Sequence, residues 1–279
     1  MSLCSACPSG RFQSASGQIA CEDCVEGTAA ATAGRSSCSA CDAGTFSHTG
    51  AVTCSQCVPG KFSLTSASSC TNCPLGFHSA SEARSTCTAC EAGRIAAVLG
   101  SPNCSVCPSG RFQSASGQHV CDDCAEGTFA EKAGTSTCTA CEAGRVAATV
   151  GSTSCESCAQ GRFQSASGQS ACDNCSEGTA TATPGSSSCS ACDAGTFSLA
   201  GAVNCSQCVP GKSSLTSAAS CTDCPQGFHR SVSETSPTCT ACEAGKVAAS
   251  VGSTECNACM PGKYQSASGS SFCEECQIG

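Results

Sequence analysis

Residues 4–21 read CSACPSGRFQSASGQIAC, and this stretch decides the fold. Two cysteines stand three positions apart, a glycine follows the second by three residues and another by ten. The next such pair begins 17 residues after the first. Working outward, all 34 cysteines fall into 17 Cys-x-x-Cys pairs, starting at Cys4, Cys21, Cys38, Cys54, Cys70, Cys87 and Cys104 and ending at Cys273. The step is 17 residues eleven times, 16 four times and 18 once. So short and regular a period denotes a linear array of one small module.

The first glycine recurs in every copy, from Gly10 to Gly279, as expected where a tight turn needs a positive φ or a close backbone approach. The second, as at Gly17, Gly34, Gly50 and Gly100, is present in twelve of the sixteen complete modules and marks a return turn. Two turns per module leave room for two strands of about three or four residues. The expected fold class is therefore small and disulfide-rich, mainly irregular with short β-hairpins and almost no helix. The modules should follow one another as an elongated rod or solenoid.

Composition agrees. Of 279 residues 34 are cysteine, tryptophan is absent and tyrosine occurs once, so much of the 40 % hydrophobic content is cysteine and alanine. Too few large apolar side chains exist for a conventional core, and covalent staples must stand in for it. A net charge of −8 and a pI near 4.9 speak against nucleic acid as a partner. No apolar stretch is long enough to span a membrane. A polar, cysteine-dense chain of this kind is expected outside the cell or on its surface.

A longer period overlies the short one. GRFQSASGQ stands at residues 10–18, 110–118 and 161–169, with the variant GKYQSASGS at 262–270. Six module types follow the order 1-2-3-4-5-6, 1-2-6, 1-2-3-4-5-6, 1-2. This gives a six-module block at 4–103, a short block of three at 104–154, a second six-module block at 155–255 and the start of a further block at 256–279. Loss and duplication of whole modules is tolerated where each unit touches only its neighbours.

Spacing leaves three uses for the cysteine pairs. A bond inside each Cys-x-x-Cys would mimic a redox motif, but there is no βαβ context. Zinc is a serious rival, because C-x2-C-x13-C-x2-C approaches zinc-ribbon spacing. Seventeen pairs cannot be shared two by two, however, and every module looks alike. Disulfides between pairs remain.

The run Cys7-Pro8-Ser9-Gly10-Arg11-Phe12 leading to Cys21 resembles the opening module of a TNF-receptor cysteine-rich domain, C-P-x-G-x-[FY]…C, whose flanking cysteines bond. Residues 107–121 repeat it, and 259–273 are a variant. The whole array resembles the tandem ephrin-receptor-like cysteine-rich repeats of secreted and cell-surface proteins. The resemblance implies that the second cysteine of each pair bonds to the first of the next. The implied bridges are Cys7–Cys21, Cys24–Cys38, Cys41–Cys54, Cys57–Cys70, Cys73–Cys87, Cys90–Cys104, Cys107–Cys121 and Cys124–Cys138, then Cys141–Cys155, Cys158–Cys172, Cys175–Cys189, Cys192–Cys205, Cys208–Cys221, Cys224–Cys239, Cys242–Cys256 and Cys259–Cys273. The rival topology joins first to first and second to second across alternate gaps, and leaves one pair unmatched. The ladder leaves Cys4 and Cys276 without partners. With Met1-Ser2-Leu3 at the start, the expectation is an excerpt of a longer array whose entry signal lies upstream.

The residue five after the second cysteine is usually the largest in its module: Phe12, Phe46, Phe62, Ile95, Phe112, Phe129, Val146, Phe163, Phe197, Val247 and Tyr264. It is expected to be a one-residue core packed on the adjacent bridge. Ala29, Ala180 and Ser213 share the slot, as do His78 and His229, which follow Phe77 and Phe228. Nine basic residues precede it: Arg11, Lys61, Arg94, Arg111, Arg145, Arg162, Lys212, Lys246 and Lys263. In type 6 an acid three residues earlier suggests the pairs Glu91/Arg94, Glu142/Arg145 and Glu243/Lys246. Acids flank the type 2 cysteines, among them Glu22, Asp23, Asp122 and Asp123, but without a calcium-loop spacing. Asn103, Asn174 and Asn204 each begin an Asn-Cys-Ser sequon and are the expected glycosylation sites.

Catalysis, a cofactor and a metal are not expected. The four histidines, His48, His78, His119 and His229, are scattered, and thin modules offer no deep pocket. The expected function is structural: an extracellular, disulfide-laddered rod that self-associates into a filament, sheath or cell-surface appendage, with glycans as further partners. The alternative is the stalk of a receptor or adhesion ectodomain that binds a protein or glycan.

Overall fold

A computed structural model of the chain describes residues 5–232 and 236–277. Its backbone falls into two compact units. One comprises Met1–Ala125, Phe129–Thr139 and Val150–Ser154; the other comprises Glu126–Thr128, Ala140–Thr149 and Cys155–Gly279. Both use the same hairpin, and no helix occurs among the described residues. Strands are two residues long, shorter than the spacing suggests, and each pairs with its successor as an isolated two-stranded sheet.

The hairpin of Phe77–His78 and Thr88–Ala89 shows how a module is made. Register is antiparallel, His78 opposite Thr88 and Phe77 opposite Ala89. The chain enters through a turn in which the Phe77 N–H donates to the Pro74 carbonyl at 3.1 Å and Gly76 sits at φ 81°. A positive φ at the third turn position is the signature of a type II turn. The two polar groups of Gly76 then point different ways: its carbonyl accepts from the Cys90 N–H at 2.9 Å, continuing the register of its own hairpin, while its N–H donates to the Ala96 carbonyl of the next module at 3.0 Å. Extended pairing stays short because the second bond gives the Gly76 N–H to the neighbour.

The same glycine touches one module further on. A Cβ at Gly76 would overlap the carbonyl oxygen of Gly117, which lies in the return turn of the next module but one. Equivalent overlaps join Gly27 to Ser66, Gly44 to Ala83, and Gly178 to Ser217. Return turns therefore keep one shape whether or not they carry glycine: Ser66, Ala83 and Ser217 hold φ values of 60°, 56° and 58°. These are three of the four modules lacking the second glycine; residues 233–235, in the fourth, lie outside the described residues, as do Gly279 and Cys4.

Sixteen bridges run from Cys7–Cys21 to Cys259–Cys273, each joining the second cysteine of one pair to the first of the next, with Cα atoms 5.6–5.8 Å apart. Each closes a loop that chain entropy values at about 3 kcal/mol. Cys276 is a free, exposed thiol.

The bridges are the core. Cys24, Cys41, Cys57, Cys73, Cys90, Cys107 and Cys124 are wholly buried, as are most of their later counterparts. What packs beside them differs from the expectation. The large slot residues Phe12, Phe46, Phe62, Phe112, Phe163 and Phe197 are only half-buried, and Tyr264 is exposed. The buried side chain is one position later and small: Ala30, Ser47, Ser63, Ser79, Ala96, Ala130, Ala147, Ser198, Ser214 and Ala248. Modules stacked closely enough for backbone hydrogen bonds leave no room there for a ring. Ser47, Ser63, Ser198 and Ser214 stay satisfied by donating to the strand before, as Ser47 Oγ does to the Thr28 carbonyl at 2.9 Å and Ser198 Oγ to the Thr179 carbonyl at 2.9 Å, while Ser79 Oγ donates to the Ser81 carbonyl at 3.2 Å.

Candidate functional site

Type 1 modules carry glutamine at the buried position, and it does a job no small residue can. Gln113 Nε2 donates to the Val120 carbonyl at 2.9 Å while its Oε1 accepts from the Ala115 N–H at 3.1 Å. Gln13, Gln164 and Gln265 make the same two bonds, tying down the SASG loop. Sequence reasoning passed over this residue. Its signal was present in the fixed glutamine of the four FQSASG and YQSASG copies.

Charges pair across strands. Arg11 faces Asp23 in register and their ion pair spans 2.6 Å; Arg111 and Asp123 repeat it at 2.6 Å and Lys212 and Asp223 at 3.0 Å. Arg162 donates to Asn174 Oδ1 at 2.9 Å in the same geometry. The ion pair expected between Glu91 and Arg94 in type 6 is not formed: the Glu91 backbone carbonyl accepts the Arg94 N–H at 3.0 Å in the turn bond that other module types also make, and Arg94 Nη1 donates to the Cys104 carbonyl at 3.5 Å. Asp23 and Asp123 are thus engaged by arginine, and Asp122 Oδ2 accepts from Gln113 Nε2 at 3.3 Å.

The most distinctive chemistry lies where the slot residue is histidine. His78 Nδ1 lies 3.1 Å from the Thr88 carbonyl and 3.1 Å from Cys104 Sγ, in the Cys90–Cys104 bridge of the following module. The carbonyl needs a donor, so Nδ1 carries the proton and also points it at sulfur. The counterpart is His229, whose Nδ1 is 3.1 Å from the Thr240 carbonyl and 3.0 Å from Cys256 Sγ.

Both histidines sit in shallow clefts of matching composition. Glu91, Arg94, Asn103 and Cys104 line the first, of about 290 Å³, with His78. Glu243, Lys246, Glu255 and Cys256 line the second, of about 300 Å³, with His229. Where the slot holds Ala29, a cleft of about 390 Å³ opens beside Cys54 with no imidazole in it. The nitrogen and sulfur atoms of His78, Cys90 and Cys104 lie within 4.8 Å of one another, as do those of His229, Cys242 and Cys256. Thiolates, not bridged sulfurs, are the metal ligands of proteins, so each bridged cluster presents a single nitrogen. Asn103, Asn174 and Asn204 are all exposed.

This architecture is that of a tandem cysteine-rich repeat protein, built from hairpins laddered by disulfides. A family model described as tyrosine-protein kinase ephrin type A/B receptor-like matches residues 44–85, 112–158 and 148–192, and the matched segments are cysteine-rich repeats of this ephrin-receptor-like type. The hairpin and bridge of the matched segments recur on either side of them. No curated protein matches the chain. Repeats of this type, with sixteen bridges, point to an extracellular repeat domain, and the module type is non-catalytic.

Proposed function

We propose that the chain is an extracellular structural repeat protein whose copies self-associate into a filament, sheath or cell-surface appendage. The supporting observation is the recurrence of exposed aliphatic side chains around the return turns. Leu64, Leu99, Val150, Leu199, Leu215 and Val251 each keep 62–75 % of their surface in water. In a chain so poor in large apolar residues, regularly repeated exposed ones are suited to contacts between copies. The test is sedimentation and negative-stain imaging of the purified chain beside a variant with these six residues changed to serine. Regular assemblies lost in the variant support the proposal. A monomer at every concentration overturns it and favours the second reading, a receptor or adhesion stalk, which draws support from the receptor named in the family description. Glycans at Asn103, Asn174 and Asn204 are compatible with either, and intact-mass measurement before and after glycosidase treatment detects them.

A further inference from the structure

We propose that the Cys90–Cys104 and Cys242–Cys256 bridges are thiol-exchange sites, the two rungs of the ladder that a small-molecule thiol opens first. Three observations carry this. Each bridge has an imidazole N–H within 3.1 Å of one sulfur, at Cys104 and at Cys256. That cysteine lines an open cleft and is only partly buried, whereas its partner, Cys90 or Cys242, is wholly buried. The arrangement occurs once in each of the two units, with an acid and a base on the rim both times.

The chemistry follows from which sulfur is reachable. An incoming thiolate RS⁻ attacks Cys104 Sγ from the cleft, forming the mixed disulfide RS–S-Cys104 and releasing Cys90 as thiolate, which takes a proton from solvent. A second RS⁻ attacks the sulfur of R, giving RSSR and the Cys104 thiolate. The thiol is oxidised and the bridge reduced, two electrons in all. The Cys104 thiolate then accepts the His78 Nδ1–H in a charge-assisted hydrogen bond unavailable to it as a neutral bridged sulfur. Stabilising the reduced form makes a bridge easier to reduce. Cys256 and His229 repeat the sequence. In the Cys24–Cys38 bridge the corresponding slot residue is Phe12, which has no proton to give. The Cys224–Cys239 bridge stands between these cases, with the Ser213 hydroxyl 3.2 Å from Cys239 Sγ.

The experiment equilibrates the full chain in glutathione buffers of graded thiol-to-disulfide ratio, traps free thiols by alkylation and maps them by mass spectrometry. The expected result is opening of both histidine-flanked bridges at a value of [thiol]²/[disulfide] about tenfold lower than Cys24–Cys38, equivalent to about 30 mV for a two-electron couple. Glutathione should be captured on Cys104 and Cys256. His78→Phe should erase the advantage of Cys90–Cys104 alone and leave Cys242–Cys256 as an internal standard. His78→Asn, which keeps a side-chain N–H near the Nδ1 position, should retain part of it. Opening of all bridges together, or an unchanged midpoint in His78→Phe, overturns the proposal.

Discussion

Gly76, in the entry turn of its module, and Gly168, in a return turn, both hold a left-handed backbone, φ 81° and 73°, yet their surroundings differ. Gly76 lies against the Gly117 carbonyl oxygen, whereas a Cβ at Gly168 would meet only the Ala140 methyl carbon at 3.7 Å, an ordinary contact. Glycine thus answers two demands here, a conformational one that both turns make and a steric one made only where another module's backbone is packed against the turn. Substitution separates them.

The largest effect is expected from Gly76→Ala, where the backbone conformation and the occupied space both resist the methyl group. A cost of about 3 kcal/mol should lower hydrogen-exchange protection of the Cys90 amide, which donates to Gly76, by roughly a hundredfold. Gly168→Ala meets only the conformational demand and should cost about 1 kcal/mol, read at its own amide, which donates to the Cys141 carbonyl. Equal effects at the two sites would dissolve the comparison. Ala83→Gly relieves a left-handed alanine and should stabilise its return turn by about 1 kcal/mol, slowing exchange of the amide at this position, which donates to the Cys57 carbonyl. Asp123→Asn removes a half-exposed ion pair and should change stability by about 0–1 kcal/mol, less at high salt.

The smallest effect is a titration. The Tyr264 hydroxyl is raised above its ordinary value of 10.0, first by its hydrogen bond to Glu274 and then by that carboxylate's charge. The hydrogen bond holds the phenol protonated, so its contribution is present below the ordinary value and lost as pH rises through the higher folded one. As the chain has one tyrosine, phenolate absorbance reports this group alone, and Glu274→Gln should move the midpoint down.

Much of the module was legible in the sequence because its punctuation is chemical: cysteine and glycine at fixed offsets have few other uses. The buried position was not, since Ala30, Ser47 and Gln113 share neither size nor polarity and only their backbone neighbourhood unites them. The half-exposed phenylalanines misled for the same reason, being large without being central. Of the histidine site, the sequence showed His78 and His229 in one slot. Their approach to Cys104 and Cys256 crosses 26 and 27 residues into the following module, a distance that no local pattern records.

The glycine seam has a consequence for how such an array can be edited. Gly10, in a type 1 module, meets the carbonyl of Gly50 in type 3; Gly110, also type 1, meets that of Gly151 in type 6. Both joints are made of main-chain atoms, so they are indifferent to which module type supplies them. A gene encoding this chain can therefore lose or copy whole units without remaking this joint wherever the return turn presents its carbonyl; at Gly195, which meets the Pro237 ring carbon instead, the identity of the partner matters.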